Sequence, residues 1–178
     1  GDSIFALHKA FLWEGEELIH VRTPDIPVLS ALPGYEHQRE EVITNTRALL
    51  AGKLVNNVLL YGPSGTGKSA TVKSLLGLPG FEMLRIIELQ KEGLSGIPKL
   101  VRTLADKKQE FILFIDDLAF DRDDKTYSLL KSILEGGVEP RPSNVAIYAT
   151  SNRRHLVRQT FSDRMGDEVD RNETIEEK

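Results

Sequence analysis

The chain has 178 residues, of which 40% are hydrophobic and 28% are charged, so it holds enough apolar material for one soluble domain with its own core. Because it has no cysteine, disulfide bonds, thiol catalysis and thiolate metal sites are excluded. The formal net charge of −4 argues against a surface devoted to nucleic acid, and no apolar run is long enough to span a membrane, so we expect a cytoplasmic protein without a membrane partner.

The first segment of the chain predicts an amphipathic helix. Apolar side chains recur at helical spacing from Ser3 to Trp13, and we expect this helix to pack against the rest of the chain. A helix that binds a partner protein is the alternative. Several prolines follow and indicate an irregular linker, so residues 1–33 are predicted to form an N-terminal helical arm and linker.

From residue 34 onward, segments typical of helices and strands alternate. A helix is predicted over Tyr35 to Ala51, before a glycine that can cap its C-terminus. The segments that follow are, in alternation from strand to helix, Asn57 to Tyr61, Lys68 to Leu76, Met83 to Leu89, Ile97 to Asp106, Phe111 to Ile115, Asp123 to Glu135 and Val145 to Thr150. Such alternation predicts an α/β fold, a parallel sheet with helices on its two faces.

The most informative stretch follows the first of these strands. Gly62 to Ser69 fills the pattern G-x-x-x-x-G-K-[ST], whose backbone N–H groups cradle phosphate oxygens. Lys68 would reach the β- and γ-phosphates, and the Ser69 hydroxyl is the expected protein ligand of magnesium. The alternative is a plain glycine-rich turn. The residues predicted to bind the nucleotide here are Gly62, Pro63, Ser64, Gly65, Thr66, Gly67, Lys68, Ser69 and Ala70.

An acidic pair follows the apolar strand Phe111 to Ile115, at the end of the strand where open α/β sheets bind ligands. Asp116 is expected to hold magnesium, directly or through water, and Asp117 to orient the attacking water and help deprotonate it. Alone, such a pair is more typical of a solvated turn or a helix N-cap. The phosphate loop in the same predicted sheet favours the catalytic interpretation.

Asn152 follows the last predicted strand. Its amide could hydrogen-bond both the γ-phosphate and the attacking water, whereas in isolation an asparagine there is more typical of a turn. Because its strand comes after the acidic-pair strand, we predict that Asn152 is catalytic together with Lys68 and Asp117.

These three elements, in this order, resemble the AAA+ ATPases, a branch of the P-loop NTPases. Gly62 to Ser69 resembles their Walker A motif, Asp116 and Asp117 their Walker B motif, and Asn152 their first sensor. The resemblance covers Leu32 to His155. It implies a three-layer AAA+ core that binds ATP and magnesium and hydrolyses the nucleotide to ADP.

Two further stretches of the chain extend this resemblance. Pro33 to Gln38 is similar to the segment that usually encloses adenine in this superfamily, which implies a contact between Tyr35 and the base. More narrowly, the chain resembles a bacterial family of predicted AAA+ ATPases known mainly as a domain of unknown function. The stretches that carry this narrower resemblance are Asn57 to Leu60, Phe111 to Leu118, Leu134 to Gly137 and Ala149 to Leu156.

The chain departs from the wider family at the acidic pair and after it. Walker B usually ends in Asp-Glu, whereas the second acid here is Asp117, so slow hydrolysis or a nucleotide-dependent binding switch is the alternative function. The fifth strand, the helical lid and the arginine finger are not recognisable. We expect residues 34–160 to form the nucleotide-binding core and residues 161–178 a charged tail that stops before these parts; Arg164 is the alternative finger.

This absence predicts that the chain by itself is a monomer that binds ATP weakly and hydrolyses it poorly, whereas a longer form would assemble into a homo-oligomer. The macromolecule that such an assembly remodels stays open. The loop Gln90 to Pro98 lacks the aromatic residue of protein-threading relatives, and Gly136 to Ser143 is too short for the hairpin insertion of ring helicases. Arg153, Arg154 and Arg158 could contact nucleic acid, but a solvated or intersubunit surface is favoured by the acidic total.

Overall fold

The computed structural model describes residues 3–22, 24–27, 36–62, 67–118, 125–134 and 141–151. Its elements, in chain order, are α1 (Ser3–Leu7), β1 (Ala10–Glu14), β2 (Glu17–Val21), α2 (Glu36–Leu50), β3 (Val58–Tyr61), α3 (Lys68–Ser74), β4 (Leu84–Leu89), α4 (Ile97–Leu104), β5 (Glu110–Leu118), α5 (Lys125–Leu134) and β6 (Val145–Ser151). A 3₁₀ turn, Leu75–Gly77, follows α3, and a second, Lys91–Gly96, precedes α4. None of these helices is long and apolar enough to cross a lipid bilayer.

The strands form one sheet in the order β2-β1-β4-β5-β6-β3. The four strands predicted from the sequence, β3 to β6, are all parallel to their neighbours, which confirms the predicted α/β sheet. β1 joins the same sheet parallel to β4, whereas β2 is antiparallel to β1. The sheet is therefore mixed rather than wholly parallel, because the tight turn at Gly15 can connect only antiparallel strands.

Helices cover both faces of the sheet, and the alternation of side chains along each strand supplies both contacts. In β5, Leu113 and Ile115 belong to the hydrophobic cluster that packs against α4 and α5. Ile112 and Phe114 point the other way, into the cluster formed with α2 and α3. Such double coverage explains why β5 is a nearly continuous apolar run in the sequence. The predicted three-layer arrangement is confirmed.

The helix predicted over Ser3 to Trp13 is correct only for its first turn. α1 ends at Leu7, and the rest of the segment forms β1, in which Phe11 and Trp13 are buried at a spacing of two. Pairing with β4 favours the strand, because an extended segment can form a parallel hydrogen-bond ladder with β4 and a helix cannot. Phe5 anchors α1 in the core, with its ring 5.2 Å from that of Phe11 and 5.1 Å from that of Phe111.

A buried hydroxyl group joins α2 to β6. Tyr148 is fully buried, its hydroxyl lies 2.8 Å from Thr46 Oγ1, and Asn45 Nδ2 donates to it at 3.0 Å. Because the Thr46 hydroxyl already donates to the Val42 carbonyl at 2.7 Å, the Tyr148 hydroxyl is the donor to Thr46. Burial raises the pKa of Tyr148, so this donor stays protonated at neutral pH.

We expect Tyr148→Phe to lower the free energy of unfolding by about 1–3 kcal/mol, because it leaves polar atoms of Thr46 and Asn45 without their buried partner. Urea denaturation at constant m-value measures the change. The double variant with Thr46→Val removes both hydroxyls and should cost less than the two single changes added together. Strict additivity would show that the two hydroxyls do not interact.

Candidate functional site

The ends of the phosphate loop lie at the carboxyl end of β3 and the start of α3. Gly62 and Gly67 have φ angles of 145° and 87°, which glycine adopts readily and other residues rarely do. α3 begins at Lys68, and its Nζ atom donates a hydrogen bond to the Gly62 carbonyl oxygen at 2.7 Å. The lysine side chain therefore links the two described ends of the loop, while residues 63–66 lie outside the described residues.

The surroundings of Lys68 at this edge of the sheet shift its pKa. Partial burial lowers the pKa of Lys68, and the carboxylates of Asp116 and Asp117 oppose that shift. Lys68 and the acidic pair, which the sequence separates by nearly fifty positions, are therefore close enough to interact electrostatically. A cation that interacts with two carboxylates at the carboxyl ends of parallel strands is an arrangement suited to a polyphosphate and a metal ion.

The acidic pair lies in a β-bulge. Ile115 pairs with Ala149 and Leu118 with Ser151, so two residues of β5 stand opposite the single residue Thr150 of β6. Asp117 has a φ of 59°, and among the residues that the structure describes it is the one non-glycine residue with a positive φ. Aspartate tolerates this left-handed conformation better than most residues because its short polar side chain can bond locally. The strand thus turns at the pair and presents both carboxylates, which are exposed.

The Thr150 hydroxyl bridges the bulge. It donates a hydrogen bond to Asp116 Oδ1 at 2.7 Å and accepts one from the Asp117 backbone N–H at 2.8 Å. The next residue continues the network, since the Ser151 hydroxyl donates to the Leu118 carbonyl at 3.1 Å and its own carbonyl accepts from Gly62 N–H at 3.2 Å. The ends of β5, β6 and β3 are therefore tied together where the candidate site lies.

The oxygen atoms at this edge are of the type that magnesium binds. Magnesium takes oxygen ligands, usually one or two from carboxylates and the rest from water and substrate phosphates. Asp116 offers an exposed carboxylate held in place by Thr150, and Ser69, half-buried in the first turn of α3, offers a hydroxyl. Ala70, also predicted to bind the nucleotide, occupies the same turn.

Several predicted residues lie outside the described residues. They are Pro63, Ser64, Gly65 and Thr66 of the phosphate loop, Tyr35 of the adenine segment, the catalytic candidate Asn152, and the arginines Arg153, Arg154, Arg158 and Arg164. Their roles stay predictions.

The loop after β4 rests on an aromatic side chain that the sequence did not connect with it. It forms the 3₁₀ turn Lys91–Gly96, and the buried Trp13 of β1 lies against it. A Cβ atom at Gly93 would lie 3.1 Å from Trp13 Cδ1, and one at Gly96 3.0 Å from Trp13 Nε1, so both glycines permit the close approach. Trp13 therefore packs against this loop from the protein interior and is not exposed to solvent.

Comparison with known proteins links the chain and its fold to one family. Residues 6–178 match the family described as protein of unknown function (DUF815). Two curated relatives are ATPase family AAA domain-containing protein 3 of Caenorhabditis elegans, 32% identical over 84 residues, and ATPase family AAA domain-containing protein 3-A of Xenopus laevis, 29% identical over 91 residues. These matches cover 44% and 48% of this chain but only 14% and 15% of the relatives, so the chain corresponds to a small part of their length.

Solved structures agree with the fold. RuvB of Thermotoga maritima superposes with a TM-score of 0.54 at 22% identity, over 79% of this chain and 46% of that one. The Aeropyrum pernix ORC1 protein, in a structure with DNA, gives 0.51 at 20% identity over 83% and 44%. Both have the AAA+ P-loop fold. Since the family match spans nearly the whole sequence, the chain belongs to the DUF815 family, which is AAA+ ATPase-like.

Proposed function

We propose that this chain binds ATP with magnesium and hydrolyses it, and that hydrolysis is coupled to the remodelling of a macromolecule. One observation carries the proposal, namely that the Lys68 ammonium joins the two ends of the phosphate loop, while the charges of Asp116 and Asp117 oppose the lowering of its pKa. Membership of an AAA+ ATPase-like family supports nucleotide-dependent activity in general.

The predicted site residues divide the work of binding and hydrolysing ATP. Lys68 binds the β- and γ-phosphates, while Ser69 and Asp116 hold magnesium, which when bound neutralises phosphate charge and stabilises the charge that develops on the transferred group. Asp117 orients the attacking water and accepts its proton, and Asn152 helps to position that water. Tyr35 contacts adenine.

A nucleotide-dependent binding switch is the second candidate, and the bulge favours it. Asp117 is one methylene shorter than glutamate, so its carboxylate reaches less far from the backbone, and the left-handed φ of 59° at the bulge changes the direction of its side chain from that of a regular strand residue. A small misplacement of the attacking water slows hydrolysis strongly while leaving binding intact. Such a switch would act as an adaptor of the helicase-loader type.

The partners that we propose follow from this chemistry. They are ATP and ADP, further copies of the protein, and a macromolecular substrate, in a cytoplasmic setting without membrane attachment. The acidic net charge disfavours nucleic acid as the main partner.

The test combines calorimetric titration of ATP with magnesium and a steady-state phosphate-release assay, on this chain and on a version that continues beyond Lys178. We expect both to bind ATP, and the longer version to assemble and turn over. Binding without turnover in the longer version would favour the switch, and an absence of binding in both would refute the two candidates together.

A further inference from the structure

The hydrogen bonds around Thr150 differ from those of an ordinary strand residue. A bulge interrupts the regular ladder between β5 and β6, so the N–H of the bulged residue loses its usual carbonyl partner. Here the N–H of Asp117 donates to the Thr150 hydroxyl, 2.8 Å away. The Thr150 hydroxyl of β6 thus takes the place of a β6 backbone carbonyl as the hydrogen-bond acceptor.

The same hydroxyl group also fixes the carboxylate of Asp116. A threonine hydroxyl has one proton to donate, and in this structure it goes to Asp116 Oδ1 at 2.7 Å while a lone pair accepts the Asp117 N–H. Thr150 is only 2% exposed, and β-branching restricts its χ1 angle. A rigid, buried hydroxyl therefore sets the orientation of the first acid and the backbone of the second.

We propose that Thr150 is the positioning residue of the acidic pair, orienting the Asp116 carboxylate toward the magnesium ion of a bound nucleotide and holding the bulge from which Asp117 acts. The inference rests on the proposed function, because it concerns how the same site is organised. A hydroxyl that hydrogen-bonds a metal-binding carboxylate typically changes metal affinity or activity about 10–100-fold when it is removed.

The first measurement is the gain in ATP affinity that magnesium provides, obtained by titrating ATP into the protein with magnesium and again with EDTA. Thr150→Val keeps the shape of the side chain and removes both hydrogen bonds, so we expect that gain to fall about 10-fold while the affinity without metal stays unchanged. Thr150→Ser retains the hydroxyl, and we expect it to restore most of the gain.

The control is Thr46→Val, the same substitution at another fully buried threonine, which belongs to α2 and contacts Tyr148 of β6 away from the acidic pair. It should lower stability without changing the effect of magnesium. A second measurement needs no nucleotide: hydrogen exchange at the Asp117 amide should be slow in wild type and in Thr150→Ser, and faster in Thr150→Val.

The outcomes separate this inference from the proposed function. If wild type binds no ATP, both fail. If wild type binds ATP but Thr150→Val keeps the full effect of magnesium, only this inference fails. It also fails if Thr150→Ser loses as much as Thr150→Val, because packing of the methyl group and not the hydroxyl would then be responsible.

Discussion

Lys68→Ala is expected to abolish detectable ATP binding, with a loss of about 100-fold or more in affinity. The lysine would give charged hydrogen bonds to two phosphates, and each such bond contributes about 1.5–3 kcal/mol. In the structure its Nζ donates to the Gly62 carbonyl and interacts electrostatically with Asp116 and Asp117, so its removal also takes away a positive charge that interacts with these carboxylates. Calorimetric titration with magnesium-ATP measures the loss.

Lys73 provides a matched control on the same helix. It is partly exposed, with its Nζ 3.7 Å from Glu88 Oε1 in a surface ion pair that contributes little to stability. Lys73→Ala should therefore bind ATP like wild type. If Lys68→Ala binds within a few-fold of wild type, the phosphate loop is a structural turn and the proposed function is wrong.

The second large effect is expected for Asp117→Asn, which should keep ATP affinity and reduce the rate of phosphate release by about 10²–10⁴-fold. The amide cannot accept the proton of the attacking water. Asparagine adopts the left-handed backbone conformation as readily as aspartate, so the φ of 59° is kept and the bulge should persist. The binding affinity and the steady-state rate of phosphate release are measured on one preparation of the version that continues beyond Lys178, in which we expect turnover.

Asp106→Asn is the corresponding control, since Asp106 is an exposed acid whose carboxylate lies 3.5 Å from Lys107 Nζ outside the site. It should change neither quantity. An unchanged, slow rate in Asp117→Asn would mean that this carboxylate takes no part in hydrolysis, as the switch alternative expects. A loss of ATP binding in Asp117→Asn would contradict both candidates, because neither gives this carboxylate a role in affinity.

The central strands could be predicted from the sequence because burial on both faces leaves a simple pattern. β5 and β6 have apolar runs bounded by polar residues, and parallel pairing follows from the helices between them. The phosphate loop and the acidic pair could be found for a related reason. Their residue types are required by the chemistry at fixed positions relative to those strands.

The N-terminal hairpin could not be predicted in the same way. The apolar residues of Ser3 to Trp13 fit a helical face, and over so short a segment the alternation of Phe11 and Trp13 does not distinguish a strand. What selects the strand is the exposed edge of β4, which lies more than seventy residues further along the chain. Local sequence carries no information about that partner.

The role of Thr150 was missed for another reason. In the sequence it is one more β-branched residue at the end of an apolar run, and the functional prediction falls on Asn152, two positions later. Its importance depends on register, since one residue of β6 faces two of β5 only because of the bulge. A threonine within the strand that follows an acidic pair is the one signal that could have drawn attention to it.

The pairing of β3 has a consequence for how the protein is made. Val58 of β3 pairs with Tyr148 of β6, roughly 90 residues later in the chain. At a synthesis rate of about 5–20 residues per second, the phosphate-loop strand would leave the ribosome roughly 5–20 s before its sheet partner. A nascent chain therefore cannot complete this nucleotide site until nearly all of residues 1–151 have emerged, and contacts of such long range also slow folding.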